Sequence, residues 1–517
     1  MTTCPPYPRR IHRCLVVLAL IPALLHCGEE SLPPLGPPGQ DATLDSPAID
    51  SDGGAPVLLD TNIAANDAIR DVRADGHRAD EDVSPHERET QDTGARAAPQ
   101  PAPVRYELAR THSPRTAFVA QRVASIRSLA PEHPDNVFMK AGDSISYSSK
   151  SLFCFSGAEV VLDSFAGLED TLNYFLAGEL PEGSPFDRKS LAVLGAKTAT
   201  WATTGSPSPL VSEINAITPS SAIVMFGTND SGSWPTDRGK MLRAYGGAIF
   251  ELVDTLIASG VVPILMTIPP RSNKAAIGQL APLTNAVIRG LAQGHQIPLI
   301  DYYREMLLLP DWGLSSDGVH PSALSAAEAC HLNEEGLQFG YNLRNLLSLE
   351  GLDRLRSLVP ENESLWEEAP PPALGEGAPE TPFVVGTLPF THWVDTAISP
   401  HAEIDNYPGC GATQDESGPE WYYRLTLTQP TPLRIAVLDR EGVDIDIHLM
   451  SESGPNGACL ARNHTLIEGT LPAGEYGLVL DSFVSEGAVL SGEALLIVVP
   501  CEPEDGRCTD SLLASGP

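Results

Sequence analysis

Three short polar stretches contain the residue types needed for nucleophilic catalysis. Ser144 lies in a Gly-Asp-Ser turn after one apolar run, and Asn229 lies in a Gly-Thr-Asn-Asp turn after another. Asp317 and His320 share the stretch Asp-Gly-Val-His-Pro. A serine hydroxyl becomes a strong nucleophile when a base removes its proton, and His320 is the candidate base. Because Asp317 can hold the imidazole in the required tautomer, these residues together predict acyl transfer through Ser144.

Acyl transfer also requires hydrogen-bond donors for the negative oxygen of the tetrahedral intermediate. The backbone N–H groups of Ser144 and Gly195 and the side-chain amide of Asn229 are the candidates. Gly195 directly follows a short apolar run at residues 191–194. Removing one such donor typically costs ~3 kcal/mol of transition-state stabilisation. We therefore expect an oxyanion hole formed by these three residues.

The elements that must position these residues alternate between strand and helix. Amphipathic helices are expected near residues 241–256 and 283–291, and two closing helices over 322–349. Such alternation predicts a parallel sheet covered by helices on both faces, with the functional site beyond the carboxyl ends of the strands. The strands are expected at residues 137–141, 191–194, 222–226, 261–267 and 297–301.

The polar stretches, in this order, resemble the successive sequence blocks of the SGNH, or GDSL-type, hydrolase family. The blocks are Gly142-Asp-Ser144-Ile, Gly195, Gly227-Thr-Asn229-Asp and Asp317-Gly-Val-His320-Pro. We place the corresponding catalytic domain at residues 104–359. The resemblance implies a flavodoxin-like three-layer α/β/α fold and ester hydrolysis through serine, with no metal and no other cofactor.

The N-terminal region is typical of an exported bacterial protein. Three arginines precede an apolar run at residues 15–25, which is too short to span a bilayer as a helix. The following Leu-Leu-His-Cys27 resembles the lipobox of bacterial lipoproteins, although His26 departs from the usual small residue. Residues 1–27 are therefore interpreted as a lipoprotein-type signal with Cys27 as the lipidated residue, the alternative being an ordinary secretory signal. Residues 28–103, rich in Pro and Asp, predict a disordered tether.

A second domain with a different sequence pattern follows the catalytic domain. Residues 360–382 are rich in Pro and Glu and are interpreted as a linker, residues 383–500 as a small β-sandwich, and residues 501–517 as a tail. Three stretches stand out here: Gly418-Pro-Glu-Trp-Tyr-Tyr-Arg-Leu-Thr426, Val443-Asp-Ile-Asp-Ile-His-Leu449 and Leu471-Pro-Ala-Gly-Glu-Tyr476. Through them the segment from about Thr387 to Val499 resembles the bacterial pre-peptidase C-terminal domain, a jelly-roll-like accessory module of exported enzymes. Its Asp444 and Asp446 either contact calcium or face solvent on one strand.

Charge and cysteine content support export. The formal net charge of −34 excludes nucleic acid as an expected partner, because phosphate binding needs clustered Lys and Arg. Six cysteines remain after Cys4, Cys14 and Cys27, and an even number in an exported chain favours disulfides. The expected pairs are Cys410–Cys459 and Cys501–Cys508. Cys154 and Cys330 either form a third pair or are buried thiols.

Three functions remain at this point, two of them enzymatic and the third from another class. The first is an exported or surface-tethered esterase that acts on small acylated molecules or on acetyl esters of polysaccharide. The second is a lipase or lysophospholipase whose acyl pocket is built from the insertion at residues 155–187. The third is a surface binding protein with an inactive hydrolase domain. In each case we expect the bacterial cell envelope, with the lipid anchor in a membrane such as the outer membrane, or secretion; the oligomeric state is left open.

Overall fold

The computed structural model describes residues 105–157, 159–234, 236–370, 374–411, 413–502 and 505–513. The signal segment with Cys27 and the tether at residues 28–103 lie outside these described residues. Among the described helices, none is long and apolar enough to cross a membrane.

The first part of the described chain contains a parallel sheet between helices. Its strands lie in the order β1-β2-β3-β4. The strands are β1 (Phe138–Gly142), β2 (Ser221–Met225), β3 (Val262–Met266) and β4 (Leu299–Ile300). The helices are α1 (Ala117–Arg127), α2 (Ser144–Tyr147), α3 (Glu169–Leu176), α4 (Ala199–Thr203), α5 (Pro209–Ile217), α6 (Arg238–Ala258), α7 (Ala275–Gly278), α8 (Ala281–His295), α9 (Tyr302–Met306) and α10 (Gly340–Arg356).

Every residue of β1, β2 and β3 is buried, which explains why these strands are mostly apolar, with Lys140 in β1 and Ser221 in β2 as buried polar members. The expected strand at residues 191–194 is reduced to a single parallel bridge between Gly142 and Val193. This bridge lies on the free side of β1, so the order of the five expected segments is 2-1-3-4-5, the flavodoxin-like order. The predicted α/β fold with a parallel sheet is therefore confirmed.

The prediction of two closing helices over residues 322–349 is wrong for the first helix. Only α10 is a long helix, and short 3-10 turns occupy Glu328–Cys330 and Gly336–Gln338. The side-chain amide of Asn342 donates to the carbonyl oxygens of Glu328 at 2.8 Å and His331 at 3.1 Å. Because the Asn342 side chain on α10 supplies hydrogen bonds to these two carbonyl oxygens, residues 328–331 do not need helical hydrogen bonds of their own at these positions.

The second part of the chain is built from strands, as expected. Two sheets lie in the orders β10-β9-β12-β7-β5 and β11-β8-β15-β6, and their facing side chains form an apolar core. The pairs are antiparallel except for β5 with β7. The strands are β5 (Phe383–Val385), β6 (Phe390–Asp395), β7 (Glu420–Leu427), β8 (Thr431–Asp439), β9 (Ile445–Met450), β10 (Cys459–Asn463), β11 (Leu466–Leu471), β12 (Gly474–Ser482), β13 (Val484–Ser485), β14 (Ala488–Val489) and β15 (Glu493–Pro500).

The outer face of the β11-β8-β15-β6 sheet packs directly on helices α6 and α8. Leu438 and Leu495 from this sheet belong to the same apolar core as the parallel sheet. A Cβ atom on Gly294 of α8 would lie only 2.7 Å from the Cβ of Trp393, so glycine permits this close approach. The two halves of the described chain therefore share a buried interface.

The first part of the expected linker at residues 360–382 is anchored to the α/β region. Glu367 forms an ion pair with Arg354 at 3.0 Å and a second, closer one with Arg110. The indole N–H of Trp366 donates to the carbonyl oxygen of Ser357 at 3.2 Å. These contacts fix the start of the segment beside the end of α10.

All three disulfides form. The pairs Cys410–Cys459 and Cys501–Cys508 confirm the prediction, and Cys154–Cys330 joins the two cysteines whose state was left open. The Cys154–Cys330 bridge links the segment after α2 to the 3-10 turn before α10. It therefore connects two segments that are far apart in the sequence but lie close to the candidate site.

Candidate active site

Ser144 begins helix α2 immediately beyond the carboxyl end of β1. The side chain of Asp143 accepts the N–H of Ile145 at 3.0 Å and so caps this helix. Gly142 is required for the turn, because a Cβ there would lie 2.4 Å from Oγ of Ser146 and 2.9 Å from the carbonyl oxygen of Met225. The turn leaves the Ser144 side chain half-buried at the sheet edge.

His320 and Asp317 reach this serine from a loop near the end of the α/β region. Oγ of Ser144 lies 2.9 Å from Nε2 of His320, and Nδ1 of His320 lies 2.6 Å from Oδ2 of Asp317. With a proton on Nδ1, the imidazole donates to Asp317 and accepts from Ser144 through Nε2. The three predicted catalytic side chains thus form one continuous hydrogen-bonded chain.

The carboxylate of Asp317 is held in its charged form. Oδ1 accepts the backbone N–H groups of Val319 and His320, each at 2.9 Å, and the hydroxyl of Ser315 at 2.9 Å. Partial burial raises the pKa of this carboxyl, but the hydrogen bonds from His320, Val319 and Ser315 outweigh that effect and hold the pKa below its usual value. A permanent negative charge therefore faces the imidazole.

The loop that carries His320 is tied to the rest of the site by backbone hydrogen bonds. The carbonyl oxygen of Gly318 accepts the N–H of Ser272 at 2.9 Å, and Gly318 has a φ of +65°. The neighbouring Arg271 donates through Nη1 to the carbonyl oxygen of Thr228 at 3.2 Å. The segment after β3 thus connects the histidine loop to the turn that carries Asn229.

The three predicted oxyanion donors lie around Ser144. A Cβ on Gly195 would be 4.0 Å from Cβ of Ser144, so this glycine lies directly beside the nucleophile. The amide Nδ2 of Asn229 donates to the carbonyl oxygen of Lys197 at 3.0 Å and makes a longer contact of 3.4 Å with Asp143. Because the short bond orients the amide, its second N–H can be directed at an oxyanion. The Ser144 N–H is at a helix N-terminus, where intrahelical partners are missing.

Two buried carboxyl groups lie beneath the site. Burial raises the pKa of Asp143 to about 6 and that of Asp230 to about 7. Oδ1 of Asp230 accepts the N–H of Ala199 at 2.9 Å, whereas Oδ2 has no hydrogen-bond partner among the described residues. Asp230 therefore connects the turn after β2 to the start of α4 at an electrostatic cost.

Arg344 is a supporting residue that sequence reasoning missed. This fully buried side chain of α10 donates to the hydroxyl of Ser146 at 3.0 Å and, at shorter range, to that of Ser151. Its neighbour Asn345 accepts the N–H of Leu152 at 2.9 Å. These contacts hold the segment after the nucleophile. No local sequence signal marks Arg344, because its partners lie about two hundred residues away.

Comparison with known families assigns this region. Residues 141–336 match the model of the GDSL-like Lipase/Acylhydrolase family. This segment is therefore similar to that family. All five predicted site residues, Ser144, Gly195, Asn229, Asp317 and His320, lie within the matched region. The match supports the family resemblance predicted from the sequence blocks, and with it a hydrolase.

Solved structures with similarity to the chain include two bacterial hydrolases. A GDSL-like lipase from Bacteroides thetaiotaomicron is 16% identical, and the match covers 46% of this chain and 98% of that one with a TM-score of 0.27. A catalytic mutant of an acetylxylan esterase from Geobacillus stearothermophilus is also 16% identical, with 42% and 93% covered and a TM-score of 0.29. No curated protein matches the sequence.

A cleft of about 460 Å³ adjoins the histidine loop of the acylhydrolase region. Its walls include Arg271, Ser272 and Trp312. The backbone of Ser272 contacts Gly318, and Trp312 lies in the same loop as His320. Trp312 remains 46% exposed although its backbone is left-handed, with a φ of +55°. A strained, exposed tryptophan on the wall of a cleft is typical of a ligand-contacting residue rather than a core residue.

A second cleft of about 420 Å³ adjoins the helix that begins at Ser144. It is lined mainly by polar and cationic side chains. Among these, Lys140 is buried, and this burial lowers its pKa to about 7. The lining residues are Lys140, Ser146, Tyr147, Ser148, Ser149, Phe153, Arg188, Lys189, Ser190 and Val193.

Proposed function

We propose that this protein is an exported serine esterase that hydrolyses carboxylic esters through an acyl-enzyme at Ser144. The observation that carries the proposal is the unbroken chain from Oγ of Ser144 through His320 to Asp317, with links of 2.9 Å and 2.6 Å. Both distances are within the range that proton transfer requires. The chain lies in the acylhydrolase segment, which supports ester chemistry.

The proposed reaction proceeds in two halves. His320 takes the proton from Ser144 as Oγ attacks the ester carbonyl carbon, and the resulting oxyanion is bound by the N–H groups of Ser144 and Gly195 and by Asn229. His320 then gives the proton to the leaving alcohol, and the acyl group remains on Oγ. In the second half His320 deprotonates a water molecule, which attacks the acyl carbon. The bond between the acyl carbon and Oγ of Ser144 then breaks, His320 returns the proton to Oγ, and the carboxylic acid leaves. Asp317 stabilises the imidazolium in both halves.

We favour acetyl esters of a polysaccharide, or of a small acylated molecule, as substrates. The exposed indole of Trp312 and the neighbouring Tyr303 and Arg271 offer the stacking and hydrogen-bonding groups that suit a sugar ring. The insertion at residues 155–187 offers little to a long acyl chain. Its Leu172 and Phe175 are buried in the core, and the Phe175 ring packs against Phe138 with centroids 5.5 Å apart. This use of the apolar side chains disfavours the lipase alternative.

We further propose that the enzyme acts in the bacterial cell envelope or outside the cell. Three disulfides within the described residues favour an oxidising compartment. The proposed anchor is lipid on Cys27, which would hold the enzyme at a membrane such as the outer membrane. Radiolabelled palmitate incorporated by the expressing cells should label the wild-type chain and not the Cys27→Ala variant.

A fluorophosphonate probe tests the catalytic proposal directly. The wild type should be labelled, while Ser144→Ala and His320→Ala should not. Ser149→Ala is a matched control, because this serine lies near the nucleophile turn but outside the proposed triad, and it should be labelled normally. Absence of labelling in the wild type, or equal labelling of Ser144→Ala, would favour a binding protein with an inactive hydrolase domain.

A panel of 4-nitrophenyl esters tests the acyl preference. We expect kcat/KM to be highest for acetyl and to fall at least tenfold by octanoyl. A preference for octanoyl or longer chains would instead support the lipase alternative.

On acetylated xylo-oligosaccharides, Trp312→Ala should raise KM several-fold while the hydrolysis of 4-nitrophenyl acetate is unchanged. An equal loss on both substrates would place Trp312 in a structural role.

A further inference from the structure

A group of acidic side chains lies inside the β-sandwich, far from any role in the proposed ester chemistry. Glu416, Asp446 and Asp481 have no solvent exposure, and His448 beside them is also fully buried. Glu416 directly precedes the segment that leads into β7, Asp446 and His448 lie on β9, and Asp481 lies on β12. Since β9, β12 and β7 are adjacent, these side chains come together within one sheet.

The polar partners of this group are too few for its buried atoms. Arg462 pairs closely with Asp446 and lies 3.3 Å from Glu416. Tyr407 donates its hydroxyl to Oδ2 of Asp481 at 2.5 Å. Glu416 and Asp481 each hydrogen-bond another carboxyl group, Asp446 and Glu420 respectively, which requires a shared proton. Within the described residues, Nε2 of His448 has no hydrogen-bond partner.

Such an arrangement requires a physical explanation. A buried polar atom without a partner costs about 1–3 kcal/mol, and a buried charge costs more. One guanidinium in contact with Glu416 and Asp446 leaves the Asp481 carboxylate without a cation. Two solutions are available: the carboxyl groups carry protons, or a metal cation binds among them. The two differ at His448. A metal cation binds the imidazole Nε2 directly, whereas a protonated Glu416 offers it only a hydroxyl from 4.0 Å away, beyond hydrogen-bond distance.

We propose that Glu416, His448 and Asp481 form a binding site for a zinc-type divalent cation. One donor atom from each of the three residues lies within 4.8 Å of the other two, so small side-chain shifts would bring all three to coordination distance of one ion. Nε2 of His448 is 4.0 Å from Oε1 of Glu416, so an ion between them can contact both at about 2 Å. A neutral imidazole nitrogen combined with two carboxylates suits zinc, whereas calcium prefers oxygen ligands alone.

The surroundings of His448 support a prepared site. The ring of Tyr407 stacks on the imidazole with centroids 3.4 Å apart, and the hydroxyl of Tyr407 is the same group that bonds Asp481. One residue thus orients two of the three ligands, as supporting residues of metal sites do. A surface cavity of about 510 Å³ is lined in part by Gln414 and Asp415, the two residues that precede Glu416.

Two other side-chain groups have metal-like spacing but carry no comparable signal. Cys501 and Cys508 are joined in a disulfide, so their sulfur atoms are not available as thiolates beside Asp505. In the group of Asp444, Asp446 and His464, the imidazole is 55% exposed and lies 2.7 Å from Asp446. An exposed histidine already paired with a carboxylate needs no ion.

Metal content and thermal unfolding of the intact chain test the site. The protein is purified without a polyhistidine tag, stripped with a chelator and dialysed against zinc, calcium or magnesium. We expect one zinc per chain by plasma mass spectrometry and a rise in Tm of about 5 °C or more at a hundredfold excess over Kd. The absence of both effects, or an equal response to calcium, would overturn the proposal.

Two variants separate metal binding from simple charge burial. Glu416→Gln keeps the side-chain shape but removes one buried charge. In the stripped protein it should leave Tm unchanged or raise it, whereas it should abolish the zinc-induced rise. His448→Gln should lose the rise as well, and His464→Gln at the exposed group is the matched control that keeps it. If Glu416→Gln shifts Tm equally with and without zinc, protons rather than a metal stabilise the group. Ester hydrolysis, measured in parallel, reports on the active site independently.

Discussion

Asp317 holds His320 at two points: Oδ2 lies 2.6 Å from the imidazole Nδ1, and Oδ1 accepts the backbone N–H of the same histidine at 2.9 Å. The side chain therefore fixes both the ring and the loop that carries it. Because hydrogen bonding keeps the pKa of Asp317 below its usual value, the carboxylate stays charged at every pH at which the protein is expected to work.

Replacing Asp317 by Asn should lower kcat strongly. The substitution removes the charge that stabilises the imidazolium and allows the wrong tautomer of His320. We expect a loss of roughly ten- to a thousandfold in kcat at pH 7, with little change in KM. The measurement is steady-state hydrolysis of 4-nitrophenyl acetate. Asp311→Asn, on the same loop but outside the hydrogen-bonded chain, should retain normal kcat. Unchanged kcat in Asp317→Asn would show that Ser144 and His320 act without the carboxylate.

Asp230 should make stability depend on pH. Its pKa is raised by burial to about 7 in the folded state, compared with about 3.9 in the unfolded chain. The folded state therefore binds the proton of Asp230 more tightly than the unfolded chain does. The resulting contribution to the free energy of unfolding is complete below about pH 4 and is lost as the pH rises towards 7. Asp230→Asn removes this dependence, so the variant should gain stability relative to the wild type over that window, by up to about 4 kcal/mol.

Urea unfolding at pH 4, 5.5, 7 and 8 measures this difference. The exposed Asp170 is the matched control, and Asp170→Asn should track the wild type at every pH. At pH 4 the free energy of unfolding of Asp230→Asn can be lower than that of the wild type, because the Asn amide places a buried donor at the position of Oδ2. The prediction concerns the slope with pH, and parallel curves for Asp230→Asn and wild type would contradict it.

Much of the parallel sheet was predictable because its strands are buried on both faces. An apolar run at residues 222–226 corresponds to β2 at Ser221–Met225, with a shift of one residue. The catalytic residues were predictable for a related reason, since each follows a strand or lies in a short motif. The segment 322–339 has the apolar spacing of a helix but is shaped by Asn342 and by the Cys154–Cys330 bridge, which are non-local.

Non-local pairing also shapes the sandwich. β10 and β11 are edge strands, and each is defined by one neighbour, β9 and β8 respectively. The packing of the sandwich on α6 and α8 is marked in the sequence by small residues at the interface, Gly246 of α6 and the glycines of α8 at positions 290 and 294.

The Cys154–Cys330 disulfide should stabilise the region around the active site. It joins positions ten residues beyond Ser144 and ten beyond His320. Cys154→Ser combined with Cys330→Ser removes the constraint on the unfolded chain, and we expect a loss of about 2–5 kcal/mol. Chemical denaturation measures this loss, and kcat at 25 °C should fall less than tenfold because the triad has hydrogen bonds of its own.

The control is the double substitution Cys501→Ser and Cys508→Ser, which opens a loop of seven residues and should cost less stability. An equal loss from both would argue against the loop-length explanation.

The interface between helix α8 and the sandwich should control the stability of the esterase itself. In Gly294→Ala the new Cβ would lie 2.7 Å from both Cβ and Cγ of Trp393, so the helix or the strand must move. We expect the free energy of unfolding to fall by about 1–3 kcal/mol. Gly247→Ala on α6 is the matched control, since its Cβ meets no described atom within 4 Å and the substitution should be neutral or stabilise by up to about 1 kcal/mol.

Residual esterase activity after heating measures whether this effect reaches the active site. Because Leu438 and Leu495 of the sandwich share a core with the parallel sheet, loosening the interface should expose the sheet that positions Ser144. Gly294→Ala should therefore lose activity at a lower temperature than the wild type, while its kcat at 25 °C stays normal. Activity that survives heating equally in Gly294→Ala, Gly247→Ala and wild type would mean that the sandwich unfolds without the catalytic region.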